Sequence, residues 1–220
     1  MKNDLLTLIA TAAIACAALP AQAEQGDWVV RLRATHVGPD DKSRLDLDGI
    51  GQGQPRDGAN WLVVGSNTIP EVDISYYFTK NIAAELILAA GTRHHVDIEG
   101  AAAQPLGSVN LLPPVLTLQW HFNPDQTIDP YIGLGINYTR FMDNSLGTSG
   151  GADRNIHTER NAFGPALQFG ADYNLDNGWL LNVDVKKVWL QTDVSLASVG
   201  KIDKLDIDPW IFSVGFGKRF

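Results

Sequence analysis

The last thirteen residues, Asp208-Pro-Trp-Ile-Phe-Ser-Val-Gly-Phe-Gly-Lys-Arg-Phe220, constrain the fold more than any other stretch. Read with period two, Trp210, Phe212, Val214, Phe216 and finally Phe220 share one face, while Ser213, Gly215, Gly217 and Arg219 share the other. That is a β-strand with one apolar side and one small or polar side. In a water-soluble sheet the apolar side faces a core. A strand that closes a membrane barrel reverses the arrangement, with apolar residues turned out to lipid and polar residues turned into the lumen.

The amino-terminal residues bear on this choice. Lys2, an apolar run from Leu5 to Leu19 and Ala21-Gln-Ala23 have the layout of a secretory signal, which predicts residues 1–23 as a signal peptide cleaved before Glu24. A rival reading takes Cys16 as a lipidated residue, but the usual leucine three positions earlier is missing. Cys16 is the only cysteine, so cleavage at Ala23 leaves no disulfide and no thiolate chemistry. The net charge of −8 disfavours a nucleic-acid partner. After residue 24 nothing approaches the roughly 18 consecutive apolar residues of a transmembrane helix.

Period-two alternation recurs along the chain. Outward sets are Trp28/Val30/Leu32, Val72/Ile74/Tyr76/Phe78, Ile82/Ala84/Leu86/Leu88, Leu116/Leu118/Trp120/Phe122, Ile132/Leu134/Ile136/Tyr138, Phe163/Leu167/Phe169/Tyr173, Trp179/Leu181/Val183/Val185 and the closing strand. Short turns fall at Thr79-Lys-Asn81, at 123–129 and at Asp176-Asn-Gly178, and long loops are expected at 38–66, 92–108, 143–158 and 194–204. Eight strands joined alternately by short turns and long loops predict an all-β fold, an eight-stranded antiparallel transmembrane β-barrel with short periplasmic turns and long extracellular loops over residues 24–220. Trp28, Tyr76, Phe78, Trp120, Phe122, Tyr173, Trp179 and Phe220 all take outward positions near the turn ends, as a periplasmic aromatic girdle requires. The closing strand also resembles the terminal strand by which Gram-negative outer-membrane barrels are recognised for insertion, which implies the barrel assembly machinery as a partner.

The inward residues divide by height. Towards the turns they include Arg31, Arg33, Asp73, Glu85, Asp172, Asp184, Lys186 and Arg219. An eight-stranded barrel has room only for its own side chains, so these charges have to pair and are expected to form a plug. Towards the loops the inward set turns apolar, with Ile69, Ile87, Ala89, Val109, Leu111, Val115, Phe141, Val188, Leu190, Leu205, Ile207 and Ile211. This predicts a pocket open to the outside for a small hydrophobic ligand, lined by Ile87, Val115, Phe141, Val188, Leu190 and Ile211. The competing expectation is that these residues only pack on one another or on the first loop. With the plug closed, release would be sideways into lipid, at a strand weakened by Pro113 and Pro114, Pro165 or Pro209.

Several segments match a known family. Leu112-Pro-Pro-Val-Leu-Thr-Leu-Gln-Trp-His-Phe122, Pro130-Tyr-Ile-Gly-Leu-Gly-Ile-Asn-Tyr-Thr139, Gly170-Ala-Asp-Tyr173, Asp206-Ile-Asp-Pro-Trp210, Gly217-Lys-Arg-Phe220, Asn81-Ile-Ala-Ala-Glu85 and Arg93-His94 resemble the OmpW family of outer-membrane proteins. The resemblance implies an eight-stranded barrel with a hydrophobic channel, uptake of small hydrophobic molecules and lateral release into the membrane.

Other functions are weaker in the sequence. An enzyme at the outer rim needs a nucleophile beside a base. Ser145, Ser149 and His157, or His94, His95 and Asp97, have no spacing that ties them together. Adjacent His94 and His95 point to opposite faces of an extended chain, so a shared metal is not expected and the pair reads as a solvated loop. No cofactor is called for. A structural, receptor or adhesion barrel whose loops bind partners is the alternative, although it has no need of an apolar upper lumen. Arg140 falls at the outer interface, where lipid and lipopolysaccharide phosphates are its natural contacts.

Overall fold

A computed structural model describes residues 23–40, 60–89, 92–100, 103–146, 156–158, 161–196 and 200–220. Its strands are β1 (Trp28–Gly38), β2 (Asn60–Val64), β3 (Asn67–Tyr77), β4 (Ile82–Ala89), β5 (Thr92–Gly100), β6 (Gln104–Leu112), β7 (Val115–His121), β8 (Ile128–Leu146), β9 (Ile156–Thr158), β10 (Asn161–Asn174), β11 (Trp179–Val188), β12 (Gln191–Leu196), β13 (Gly200–Asp206) and β14 (Trp210–Arg219). Eight of them, β1, β3, β4, β7, β8, β10, β11 and β14, form a closed antiparallel barrel. The strand order runs β10-β11-β14-β1-β3-β4-β7-β8 and closes by the β8–β10 pairing. The carboxy-terminal β14 is held on both sides, by β1 (Val29↔Arg219) and by β11 (Trp179↔Lys218). Closure removes the free edges that a sheet in lipid cannot leave unpaired.

The alternation maps onto the two faces of the wall. On β7 the burial pattern is strictly alternate, with Val115, Thr117, Gln119 and His121 inside and Leu116, Leu118 and Trp120 outside. The outer wall carries Leu134, Ile136, Phe163 and Val214 at 67%, 62%, 70% and 59% exposure. A continuous apolar surface of this kind does not suit water, and it places lipid around the barrel. The aromatic girdle gathers at the short-turn end. Trp28 lies 4.9 Å from Tyr76, which lies 5.2 Å from Phe78, and the amide of Phe220 donates to the Trp28 carbonyl at 2.8 Å.

The short turns lie where expected. The first closes by Phe78 N–H donating to the Ile82 carbonyl at 2.9 Å, and the third uses positive φ at Asn177 (59°) and Gly178 (78°). The long loops differ from expectation. Residues 92–108 are largely strand, with β5 and β6 paired from Thr92↔Leu111 to Ile98↔Gln104. Parts of 194–204 fall in the paired strands β12 and β13, β8 runs on to Leu146, and parts of 38–66 and 143–158 become β2 and β9. On β5 the outward positions include Arg93 and His95, which are polar and exposed, so the apolar alternation that marks the barrel strands is missing from it.

The small face of β14 has a steric reason. A Cβ on Gly215 would sit 2.1 Å from the Leu32 carbonyl oxygen and 2.8 Å from Arg33 Cγ, and one on Gly217 would sit 2.7 Å from Arg31 Cγ. The glycines make room for two arginines of the neighbouring strand inside a narrow lumen. Gly215→Val is therefore expected to abolish assembly, seen as loss of the heat-sensitive gel shift of a folded barrel, whereas Val214→Ile on the outer face leaves the shift intact.

Candidate functional site

The lower lumen is filled by one connected set of charges. Arg31 donates to Asp172 at 2.6 Å, to Glu85 at 3.0 Å and to Ser75 at 2.6 Å. Arg33, two residues on and so on the same face, reaches Glu71 at 2.8 Å and Glu85 at 3.4 Å, contacts Asp73, and lies 3.7 Å from Asp184. Lys186 pairs with Asp184 at 2.6 Å and lies 3.5 Å from Glu71. Gln168 bridges Glu85 at 2.9 Å and Asp184 at 2.7 Å. Arg31, Asp73, Glu85 and Asp172 are fully buried, and Arg33, Asp184 and Lys186 nearly so. Long arginine forks span the barrel from strand to strand, which is what the narrow cross-section of eight strands allows.

Below this layer Tyr131 donates to Asp184 at 2.7 Å, His121 Nδ1 lies 2.7 Å from Asp129, and Val29, Tyr77, Ala83 and Leu180 form a buried cluster. Arg219 lies with this end rather than with the central charges, 4.0 Å from Asp27 and with its guanidinium over the Tyr77 ring.

Above the charges the lining turns apolar around a cavity of about 70 Å³. On that measure one water needs about 10–15 Å³, so the space exceeds a single solvent site several times over. Ile87, Val115, Val188, Leu190 and Ile211 line it, together with Val37, Val64, Ile69, Ala89 and Ile207. Glu71 and Lys186 reach it from the charged layer, and Thr35, Asn137, Thr139 and His94 complete the polar part. Of the six residues expected to line a ligand, the side chain of Phe141 lies outside the described residues, as do those of Val109, Leu111 and Leu205.

Pro113 and Pro209 also line the cavity. Proline carbonyls are still used in the wall: Tyr138 N–H donates to Pro114 at 3.0 Å, Val188 N–H to Pro209 at 3.2 Å and Trp189 N–H to Pro165 at 3.0 Å. What the prolines cannot do is donate in return.

His94 is a correction to the sequence reading. It lies on the inner face of β5, buried at 4% exposure, while His95 is exposed, so the pair is not a solvated loop. The inward period-two position next to Val96 is the signal that would have found it. No cluster of histidine, cysteine or acidic residues suited to a metal occurs among the described residues.

The OmpW family model matches residues 24–220. The chain belongs to the OmpW family. It is 39% identical to the outer-membrane protein y4mB of Sinorhizobium fredii over 196 residues, 88% of this chain and 80% of the relative. It is 29% identical to the dibenzothiophene metabolism operon protein PahQ of Pseudomonas aeruginosa, over 93% of this chain and 94% of the relative. Among solved structures, the crystal structure of the outer membrane protein OprG from Pseudomonas aeruginosa superposes with a TM-score of 0.78 at 29% identity, covering 91% of this chain and 98% of that one. This OmpW-family barrel is an outer-membrane protein, and its short turns define the periplasmic end.

Proposed function

We infer that the barrel is a passive entry route for small hydrophobic molecules through the outer membrane, with Ile87, Val115, Phe141, Val188, Leu190 and Ile211 as the ligand-lining residues. The observation that carries this reading is the change of lining within one lumen, from paired charges at Arg31, Arg33 and Lys186 to the apolar cavity above them. An anchor or adhesion barrel gains nothing from an open apolar cavity, whereas a hydrophobic solute gains about 25 cal/mol for each Å² of apolar surface it takes out of water. The name of the related PahQ, which places it in a dibenzothiophene metabolism operon, supports small apolar molecules as the cargo.

In this reading Arg31, Arg33, Asp73, Glu85, Asp172, Asp184 and Lys186 act as a plug that stops ions and water, and Arg219 closes the periplasmic end. The solute then leaves sideways into lipid. Pro113 and Pro209 mark the place, because they line the cavity and supply no donor to the strand ladder. Residues 1–23 serve as the export signal, the barrel assembly machinery reads β14, and lipopolysaccharide surrounds the outer rim near Arg140.

The test uses vesicles with lipopolysaccharide in the outer leaflet, with and without the refolded barrel, and follows entry of fluorescent 2-methylnaphthalene. Faster entry with the barrel supports the passage. Equal rates move the protein to the structural or receptor reading.

A further inference from the structure

The cavity is not uniformly apolar, and among the described residues one nitrogen of its lining has no partner. His94 projects from β5 into it, and its Nδ1 lies 2.8 Å from the Gly65 carbonyl oxygen. A carbonyl only accepts, so Nδ1 carries the hydrogen. In the neutral ring Nε2 then bears a lone pair, and it has no partner among the described residues. The other polar side chains at the cavity each have a partner. Thr139 donates to Asn137 at 2.7 Å, Asn137 to the Pro114 carbonyl at 3.3 Å and Thr35 to Ser213 at 2.8 Å, while Lys186 is held by Asp184 and Glu71, and Glu71 Oε1 accepts from Arg33 at 2.8 Å and from Ser213 at 3.4 Å.

The imidazole is also fixed. β5 holds it between β2 and β6, through Val64↔Val96 on one side and His94↔Val109 on the other, and the Gly65 amide donates to the His95 carbonyl at 2.8 Å. The Nδ1 hydrogen bond to Gly65 sets the tautomer before any ligand arrives, so an incoming donor meets an acceptor already held by the protein.

We propose that His94 Nε2 is a specificity-determining acceptor, and that the cavity selects small molecules with an apolar body and one neutral hydrogen-bond donor, such as phenols. This rests on the reading of the cavity as a ligand passage and narrows it. A hydrocarbon of the same size fills the apolar part and leaves Nε2 unpaired, whereas a phenol O–H satisfies it. The net advantage of one such bond in a protein interior corresponds to roughly two- to tenfold in affinity.

The matched probes are 2-naphthol and 2-methylnaphthalene, which differ by a hydroxyl in place of a methyl group. Their binding to the full barrel in phospholipid nanodiscs is measured against empty discs, for the native protein, His94→Phe and His94→Gln, with the gel shift confirming assembly of each. Native protein is expected to favour 2-naphthol two- to tenfold beyond its preference for empty discs. His94→Phe loses that preference and His94→Gln, which keeps an acceptor, retains part of it. The ¹⁵N resonance of His94 Nε2 moves with 2-naphthol and stays with 2-methylnaphthalene. Equal binding of both probes, or a preference that survives in His94→Phe, overturns the role of His94 and leaves the passage standing. Binding of neither probe above empty discs overturns the passage and this inference together.

Discussion

Arg33→Met is expected to destabilise the barrel by about 3–5 kcal/mol in urea titrations carried out in lipid vesicles. Arg33 is the shared partner of Glu71, Asp73 and Glu85 and approaches Asp184. Methionine matches much of its length but leaves these buried carboxylates with Arg31 and Lys186 as their remaining cations. An uncompensated buried charge is far more costly than the net worth of the pair that is broken. The same logic gives a second result. Glu85→Gln in the Arg33→Met background removes one stranded anion, so the double variant is less destabilised than the sum of the two single changes. Additive losses would show that Arg33 and Glu85 do not act as a unit, despite their 3.4 Å contact.

Ile87→Asp is expected to lower hydrophobic-probe entry by at least about tenfold while the barrel still assembles. Ile87 is 1% exposed on the inner face of β4, opposite Val115 of β7, and both line the cavity. A carboxylate there draws water into the apolar part of the lumen and makes the hydrophobic solute compete with it, at a cost above the roughly 1.4 kcal/mol that corresponds to tenfold. Strand pairing is preserved because the ladder uses backbone groups, and the gel shift checks it. Probe entry at the native rate in assembled Ile87→Asp protein would remove this residue from the path.

The fold was legible because lipid enforces a simple pattern. Every barrel strand has to turn apolar residues outward, so period two survives from Trp28 to Phe220 and gives inward and outward faces directly. The same period puts Arg31 and Arg33 on one inward face with Asp73 and Glu85 of nearby strands.

What the sequence hid lies where that rule lapses. Along β5 the outward positions include Arg93 and His95, which are polar, so no apolar row marks the strand and the segment reads as a loop. His94 reads as a solvated loop residue for this reason, although it is as deeply buried as much of the cavity wall. The partner of each charge was also out of reach. The bridge from Arg31 to Asp172 spans 141 residues, and only the closed barrel brings β1 opposite β10. The glycines of β14 read as a small face, but their steric role against the Arg31 and Arg33 stems became evident only with the register of β1 and β14.

An apolar entry site above a closed charged layer can be tested by simultaneous measurement of 2-methylnaphthalene entry and single-channel conductance on one preparation of the refolded barrel. Accelerated probe entry with little ion current is expected. A large, steady conductance would contradict it, because ions would then be crossing the layer built on Arg31, Arg33, Glu85 and Lys186.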